Sequence, residues 1–306
     1  MGDLPPALLL LFNPRSGRSR GRQIAHSVAE ALGERGYHSH LIEAQAYARD
    51  ATAFHVAHPH ARAVVIGGDG TVRLLLPSLS AGQIPFCMFP AGNENLFARC
   101  FGMLGDTDSL AKCVASAPNG VKWGTANGQP FFTMVSVGLD ANVVRSVSLA
   151  REQGAGKGST RWSYIPATLH EFIRLSPRKL RITIDGIARE AEGVIVANSP
   201  YYGGGIFPAV SADPRSADFT CRLFPRADRS FYAKWLADIA FGSVKRNGNT
   251  LPSPDLIAGR EVLIESLDGD CPTQADGDDS GNTPLRISIS PSPLLVLGTF
   301  RSPTAP

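Results

Sequence analysis

Short apolar runs alternate with helix-like patterns over the first third or so of the chain. The run RAVVI (residues 62–66) is continuously apolar, which is typical of a strand covered on both faces of a sheet. Ile24, Val28 and Leu32 recur at the four-residue spacing of a helix. This alternation predicts a parallel sheet with crossover helices. Further strands are predicted at Ala7 to Phe12, near His38 to Ile42 and at Ile84 to Phe89, with a second helix near Asp50 to Ala57.

The pattern changes beyond about Val121 to alternating, turn-rich segments. Stretches such as FFTMVSVGLDANVV, KLRITIDG, REAEGVIVANS and EVLIES are typical of antiparallel strands. Two helices are predicted among them, from about Ser163 to Leu175 and from about Ser230 to Lys245, and GAGKGSTR has the composition of a loop. The chain is therefore expected to hold an α/β domain followed by a β-rich domain.

Charge and cysteine content narrow the range of functions. The formal net charge of +3 is too small for a nucleic-acid footprint that covers the whole chain. The five cysteines are widely spaced and form no Cys-x-x-Cys pair, so reduced thiols in a cytosol are the simplest interpretation. The apolar opening ALLLLF is far shorter than the roughly 20 residues needed to cross a bilayer, and we interpret it as a buried strand.

One carboxylate stands where a phosphate-binding loop would be expected. The stretch ARAVVIGGDGTVRLLL places Asp69 among three glycines just after a buried strand. Such turns usually present backbone N–H groups to phosphate, commonly with a lysine, which this stretch lacks. An aspartate there would repel phosphate unless a divalent cation stood between them, so the stretch suggests a metal–nucleotide site. The alternative is a tight turn whose aspartate caps the following helix.

Four loops carry the candidate chemistry, namely NPRSG (13–17), GGDGT (67–71), PAGNEN (90–95) and QADGD (274–278). The first three follow strands whose carboxyl ends meet at one edge of a parallel sheet, so these loops are expected to converge. Arginines near the first loop could answer phosphate charge or form a solvated basic surface. The acidic stretch around Asp276 could equally be a solvated hairpin turn.

The motifs FNPRSG, GGDGTV, PAGNENLFAR, YYGGG and DGD, in this order, resemble those of the diacylglycerol kinase catalytic family, which includes bacterial lipid kinases and sphingosine kinases. The form Gly-Asn-Glu-Asn-Leu resembles a sub-branch of that family. The resemblance implies an α/β N-terminal domain with a parallel sheet, similar to phosphofructokinases and NAD kinases, and a C-terminal antiparallel β-sandwich. It implies a nucleotide-binding domain at residues 1–122, a β-rich acceptor domain at 123–290, and a final strand, LLVLG, that returns to the first domain within 291–306.

The resemblance also implies a reaction and the residues that perform it. The family transfers phosphate from ATP to a lipid hydroxyl, with Asp69 acting through Mg²⁺ and Asp278 of the DGD motif, beside Asp276, as general base. Such roles suit phosphoryl transfer, whose barrier falls chiefly through positioning and charge neutralisation. The residues implied to contact ATP are Asn13, Pro14, Arg15, Ser16, Gly17, Gly67, Gly68, Asp69, Gly70, Thr71, Val72, Arg73, Asn93 and Asn95.

Several positions depart from the family pattern. Arg73 stands where Asn is common, and Gly92 to Leu96 replaces Gly-Thr-Gly-Asn-Asp, so a threonine hydroxyl and an acidic side chain are missing. The base has lost a methylene, since Asp278 replaces Glu, and a misplacement of about an ångström can lower a rate on the order of 10²-fold. Reduced or altered activity is therefore expected.

A structural metal site of the bacterial members is changed as well. Their Asp-Gly-x-Leu-Asp segment corresponds here to SADFT (216–220), which lacks the carboxylates at both ends. The metal site is therefore expected to be absent, or rebuilt from Asp213 and Asp218.

The leading hypothesis is a Mg²⁺-dependent kinase that phosphorylates a hydroxyl of a diacylglycerol-like lipid. We expect it in the cytoplasm, in transient peripheral contact with a membrane. Its expected partners are ATP and a lipid acceptor, without nucleic acid, and a homodimer is one option for assembly. Two alternatives stay open: a kinase of the same architecture that acts on a soluble metabolite, and a nucleotide-binding module with little or no turnover.

Overall fold

The computed structural model describes residues 7–153, 164–203, 211–240 and 256–302. Contacts within the chain divide it into two units. The first unit runs to Trp123 and resumes over Ser290–Arg301, and the second covers Gly124–Ile289. The predicted loop at 154–161, the last two glycines of YYGGG and the end of the helix predicted from Ser230 lie outside the described residues.

The described residues form 18 strands and ten helices. The strands are β1 (Leu8–Phe12), β2 (Ser39–Glu43), β3 (Arg62–Gly67), β4 (Phe86–Pro90), β5 (Pro118–Val121), β6 (Gly124–Ala126), β7 (Gln129–Phe131), β8 (Met134–Val137), β9 (Leu180–Ile184), β10 (Ile187–Ala191), β11 (Gly193–Ala197), β12 (Phe219–Phe224), β13 (Leu256–Gly259), β14 (Glu261–Ser266), β15 (Pro272–Ala275), β16 (Asp278–Asn282), β17 (Leu285–Ile289) and β18 (Leu294–Leu297). The helices are α1 (Ser16–Ser19), α2 (Gly21–Gly33), α3 (Ala44–Arg49), α4 (Ala51–Ala57), α5 (Asp69–Ala81), α6 (Leu96–Cys100), α7 (Thr107–Ala115), α8 (Leu139–Glu152), α9 (Tyr164–Ile173) and α10 (Arg229–Ala240).

A six-stranded sheet forms the centre of the first unit, in the order β2-β1-β3-β4-β18-β5. The neighbours from β2 to β18 pair in parallel, and only β5 is antiparallel to its neighbour β18. All five side chains of β1 are buried, because helices cover both faces of a parallel sheet. The predicted parallel sheet and the return of the final strand to it are confirmed.

Helices α2 and α4 match the two helices that the sequence located in the first unit, and the structure adds others between the strands. Helix α2 buries Ala25, Val28 and Leu32 along one side, which confirms the four-residue spacing read from the sequence. The sequence did not predict α3, which has only six residues and buries Ala44 and Tyr47. A helix this short spans too few turns to show a recognisable apolar period.

Two antiparallel sheets of six strands each build the second unit. Their orders are β10-β9-β14-β17-β6-β7 and β13-β12-β11-β8-β15-β16. A cluster of buried apolar residues, including Val135, Val196, Ile182 and Ile264, draws side chains from both sheets. Sheets packed through such a shared core form a β-sandwich, so the predicted antiparallel sandwich is confirmed.

The stretch FFTMVSVGLDANVV was predicted as a strand, and that prediction is wrong for its second half. Strand β8 ends at Val137, and Gly138, with φ of 149°, turns the chain into the 14-residue helix α8. Positive φ in this range is open mainly to glycine. Helix α8 then buries Leu139, Val143, Val144 and Val147, which is a helical rather than an alternating spacing.

Candidate active site

Three loops of the first unit meet at the carboxyl ends of β1, β3 and β4. The Asn13 side chain donates from Nδ2 to the Thr71 hydroxyl at 3.3 Å. The backbone N–H of Gly17 donates to the carbonyl of Ala91 at 2.9 Å, and the N–H of Ala91 donates to the carbonyl of Gly67 at 2.8 Å. These bonds link NPRSG, GGDGT and PAGNEN to one another, as the order of the strands predicts.

Glycine is required where the second and third of these loops touch. A Cβ atom added to Gly92 would lie 2.6 Å from the Cα of Gly68, and one added to Gly68 would lie 3.2 Å from the Cα of Gly92. A Cβ on Gly67 would lie 2.4 Å from the hydroxyl oxygen of Thr71. The main chains of the two loops therefore approach each other closely, with the Asn95 side-chain oxygen beside the contact.

The first loop is shaped by its own hydrogen bonds. The side-chain oxygen of Asn13 accepts the backbone N–H of Arg15 at 3.0 Å, an Asx turn. Gly17 has φ of 58°, a conformation that favours glycine. The side chains of Arg15 and Arg20 are exposed, so two cationic groups border this loop.

Asp69 lies in the first turn of α5 and reaches the next loop. Its Oδ1 accepts the backbone N–H of Phe97 at 2.9 Å, in the first turn of α6. Burial raises the pKa of this half-buried carboxyl group, while hydrogen bonds from the backbone of Phe97 and Leu96 lower it. The capping role that the sequence left open is therefore present, although the capped helix is α6 rather than α5.

The PAGNEN loop is closed by Asn95. Its side-chain oxygen accepts the N–H of Gly92 and its amide donates to the carbonyl of Gly92, both at 2.9 Å. Asn95 itself has φ of 49°, in the left-handed region that Asn tolerates better than most residues. Asn93, in contrast, is exposed at the tip of this loop.

Two residues predicted to contact ATP are buried. Thr71 and Val72 are 4% and 1% exposed, so their side chains lie in the interior of the first unit. Gly70 is exposed and Arg73 is half-buried. Gly67 is buried and Gly68 is half-buried.

The DGD motif of the second unit forms the turn between β15 and β16. Asp276 and Gly277 occupy the turn with φ of 50° and 82°. The Asp276 carboxylate accepts three backbone N–H groups, from Phe132 and Thr133 at 2.7 Å and from Met134 at 3.1 Å. Asp276 thus fixes the start of β8, a structural task that does not favour the catalytic role predicted for it.

Asp278 is the first residue of β16 and is exposed. It pairs with Ala275 in the hairpin register. The hairpin turn that the sequence left as an alternative is therefore present, and its second strand begins with two exposed aspartates, Asp278 and Asp279. The assignment of Asp278 as general base stays a prediction.

The carboxylates predicted as structural metal ligands contact arginines. Arg215 binds Asp213 through two nitrogens, Nε to Oδ1 at 3.0 Å and Nη2 to Oδ2 at 2.7 Å. The Nε of Arg260 lies 3.2 Å from Oδ1 of Asp218. Within the described ranges, no cluster of three or more His, Cys, Asp or Glu side chains is placed to hold a metal ion. Metal binding by Asp213 and Asp218 would have to displace these arginines.

Sequence reasoning passed over three polar residues of the second unit, Ser136, Asp140 and Gln274. Ser136 and Gln274 are fully buried, and both hydrogen-bond within one chain of side chains. The available signal for Ser136 was a polar residue inside the otherwise apolar stretch MVSV, and no such signal marked Gln274 in PTQA. A buried polar side chain in a strand needs a partner, which marks such positions for attention.

Glycine-rich loops gathered at the carboxyl edge of an α/β sheet, in a chain that continues as an antiparallel sandwich, define a class of ligand-binding proteins with two domains. The model of the diacylglycerol kinase catalytic domain matches residues 7–126. The model of the YegS C-terminal NAD kinase beta sandwich-like domain matches residues 133–298. The chain belongs to the diacylglycerol kinase catalytic family, as its motifs indicated.

Relatives match the chain over most of its length. The protein named diacylglycerol kinase in Mycobacterium tuberculosis is 27% identical over 318 residues, which cover 94% of this chain and 93% of the relative. The "Probable lipid kinase YegS-like" of Pseudomonas aeruginosa is 24% identical and covers 79% of this chain and 78% of its own. The crystal structure of a diacylglycerol kinase from Bacillus anthracis superimposes with a TM-score of 0.69 at 19% identity over 98% of both chains, which shows the shared fold.

Proposed function

We propose that this chain is a kinase that transfers the γ-phosphate of ATP to a hydroxyl group of a diacylglycerol-like lipid. The observation that carries the proposal is the close approach of Gly68 and Gly92, which brings the main chains of two glycine-containing loops together at the edge of the sheet. Phosphate groups bind well to backbone N–H donors that no side chain obstructs. The name of the Mycobacterium tuberculosis relative supports a lipid as the acceptor.

Residues of the first unit are suited to bind the phosphate groups of a nucleoside triphosphate. Helix α5 runs for 13 residues from Asp69, directly after Gly68. The first N–H groups of a helix have no acceptor within the helix, and they carry partial positive charge. The exposed guanidinium groups of Arg15 and Arg20 add positive charge beside the first loop.

Asp69 is the residue proposed to hold Mg²⁺ that is bound to ATP. The hydrogen bond from Phe97 fixes the direction of its carboxylate at the junction of two loops. When bound, MgATP would supply the phosphoryl group and a divalent charge that offsets the negative charge around it. Without a cation, Asp69 would repel phosphate, so a requirement for divalent metal follows from the proposal.

Asp278 is the residue proposed to take the proton from the lipid hydroxyl. It is exposed directly after the turn that Asp276 anchors to β8. A positioned carboxylate that removes this proton contributes a factor of about 10²–10⁴ to the rate. Asp276, two positions earlier, would then hold the turn that carries Asp278 without touching the substrate.

Transient contact with a membrane is part of the proposal. Leu169 and Ile173 lie four positions apart on α9 and are 60% and 61% exposed, so one side of this helix presents apolar side chains to solvent. Such a surface suits shallow insertion at the headgroup level. None of the described helices is both long and apolar enough to cross a bilayer. A homodimer stays a prediction.

The test is the transfer of label from γ-labelled ATP in the presence of Mg²⁺ and a total lipid extract, followed by solvent partition. We expect an organic-extractable labelled product with the parent chain and none with Asp69→Ala. Asp270→Ala, which changes another exposed carboxylate, is the matched control and should retain activity. Label confined to an aqueous product would favour a soluble acceptor, and ATP binding without transfer would favour a module without turnover. Either result would contradict the proposal.

A further inference from the structure

A chain of buried hydrogen bonds runs through the second unit from α8 to the DGD turn. The Ser136 hydroxyl, on β8, donates to Oδ2 of Asp140, in the first turn of α8. The side-chain amide of Gln274, on β15, donates from Nε2 to the Ser136 oxygen at 2.7 Å. The Gln274 oxygen accepts the backbone N–H of Gly277 at 2.9 Å. Gly277 is the central residue of the DGD motif.

The donor-to-acceptor direction of these hydrogen bonds is set at Asp140. The Ser136 hydroxyl has a single proton, and it donates that proton to Oδ2 of Asp140. The Ser136 oxygen then accepts from Gln274, whose nitrogen must face it. The Gln274 oxygen is consequently left facing the N–H of Gly277. The half-buried Asp140 therefore determines which end of Gln274 meets the turn.

The hairpin needs such support because β16 is an edge strand. Among the described strands, β16 stands last in the order of its sheet and pairs with β15 alone. The β15–β16 register is also interrupted between Pro272 and Gln274. On its far side, Arg145 of α8 donates to Oδ1 of Asp279 at 2.9 Å and to the carbonyl of Gly281 at 2.6 Å. Helix α8 thus holds the hairpin at two separate points.

We propose that Asp140 is a positioning residue, which acts through Ser136 and Gln274 to fix the Gly277 backbone and with it the direction of the Asp278 carboxylate. This inference rests on the proposed function, in which Asp278 takes the hydroxyl proton. Asp140 touches neither the nucleotide nor the lipid in this arrangement. Asp140 therefore affects the reaction through the orientation of the Asp278 carboxylate.

Substitution of Asp140 by Asn tests this series of hydrogen bonds with almost no change in the size of the side chain. The Asp140 carboxylate also accepts the backbone N–H of Ala141 and the side-chain amide of Gln274, so several donors converge on it. An Asn side chain would turn its NH₂ group toward some of these donors in either orientation, which removes at least one hydrogen bond at the origin of the chain. Ser136→Ala interrupts the same chain one step later and serves as the second variant.

Thr273→Val is the matched control. Thr273 is fully buried next to Gln274 on β15, and its hydroxyl donates to the carbonyl of Gly281 at 3.2 Å. This variant therefore removes a buried hydrogen bond of the same hairpin without interrupting the bonds that lead from Asp140 to Gly277.

The experiment measures hydrogen exchange of the Gly277 amide by NMR in the full chain without nucleotide, and kcat and KM for ATP in the same variants. We expect Asp140→Asn and Ser136→Ala to speed exchange at Gly277 by roughly 10-fold or more and to lower kcat on the order of 10²-fold with KM for ATP nearly unchanged. Thr273→Val should leave Gly277 exchange as in the parent.

The two readouts separate failure of this inference from failure of the proposed function. Gly277 exchange that stays at the parent rate in both folded variants would overturn the inference, whether or not the chain is an active kinase. Equal acceleration in Thr273→Val would also overturn it, because the effect would then be general loosening of the hairpin. Absence of phosphate transfer by the parent chain would contradict the proposed function, and exchange at Gly277 would still decide whether Asp140 controls the turn.

Discussion

The carboxylate of Asp69 accepts a hydrogen bond from the backbone N–H of Phe97 at 2.9 Å. This contact joins the first turn of α5 to the first turn of α6 across 28 positions of sequence. It gives Asp69 a structural duty beside the metal-binding role proposed for it. The two duties depend on different properties of the side chain, namely an acceptor oxygen and a negative charge, so substitution can separate them.

Asp69→Asn is expected to abolish most activity while preserving the fold. The Asn oxygen can still accept from Phe97, so the free energy of unfolding in urea should change by no more than about 1 kcal/mol. Loss of the charge should lower the rate of phosphate transfer on the order of 10²-fold or more. Full activity in a folded Asp69→Asn protein would exclude the charge from the reaction.

The control for this substitution is Asp106→Ala. Asp106 caps α7 by accepting the backbone N–H of Ser109 at 2.8 Å, and it lies outside the three loops. Its loss should lower stability and leave the affinity for MgATP unchanged.

Gly92→Ala is expected to weaken nucleotide binding. The added methyl group would lie 2.6 Å from the Cα of Gly68, so the two loops must separate. Overpacking of this kind costs about 1–3 kcal/mol, and a loss of about 10-fold or more in affinity for a non-hydrolysable ATP analogue should follow in titration calorimetry. Gly120→Ala, where an added methyl group would meet no atom within 4 Å, should bind as the parent does. Equal affinities in the two variants would contradict a role of the Gly68–Gly92 contact in nucleotide binding.

Removal of the exposed apolar groups of α9 is expected to reduce membrane contact. The double variant Leu169→Ser with Ile173→Ser should sediment with anionic phospholipid vesicles several-fold less than the parent, because the buried apolar area drives such binding. Ile187→Ser is the matched control, since Ile187 is 63% exposed on β10 of the same unit. Vesicle binding that falls equally in the control would rule out α9 as the contact surface.

Asp140 is expected to titrate at a higher pH than an ordinary aspartate. Burial raises the pKa of its carboxyl group above the usual 3.8, against hydrogen bonds from Ser136 and the Ala141 backbone that lower it. The native state then holds this proton at a pH where the unfolded chain has lost it. The contribution of this group to stability therefore grows as the pH falls from the native pKa toward 3.8.

Carbon-13 NMR of the aspartate carboxyl groups measures this titration directly. The pKa of Asp106 is lowered by the backbone and hydroxyl of Ser109, so Asp106 should titrate below 3.8 and serves as the internal contrast. Tyr232 on α10, whose own pKa burial raises, is the titratable neighbour of Asp140 and stays protonated throughout this range. An Asp140 midpoint at or below that of Asp106 would contradict the assignment.

The sheet and the meeting of its loops could be read from the sequence because both follow from local pattern. Buried strands such as β1 and β3 are continuously apolar, and the carboxyl ends of parallel neighbours necessarily share one edge. Helix α8 was not predicted because apolar and polar residues alternate in VSVGLDANVV closely enough to resemble a single strand. Only the φ of 149° at Gly138 ends the strand there, and a sequence pattern does not specify a backbone angle.

The structural roles of the carboxylates could not be predicted because the sequence does not show which groups each carboxylate contacts. Asp276 binds the backbone of Thr133, which lies 143 positions earlier, and any residue type except proline at that position would offer the same N–H. Asp213 is two positions from Arg215, yet their pairing depends on side-chain rotamers that composition does not fix. Family motifs therefore located the hairpin and left open which of its aspartates is buried in structural bonds.

The most direct test of the account is single-turnover transfer of phosphate from γ-labelled ATP to diacylglycerol in mixed vesicles, compared between the parent chain and Asp278→Asn. Asn preserves the size of the side chain and cannot take up the hydroxyl proton, so the account predicts labelled lipid from the parent and a rate lower by about 10²-fold or more in the variant. Lipid labelled at the same rate by both proteins would contradict it.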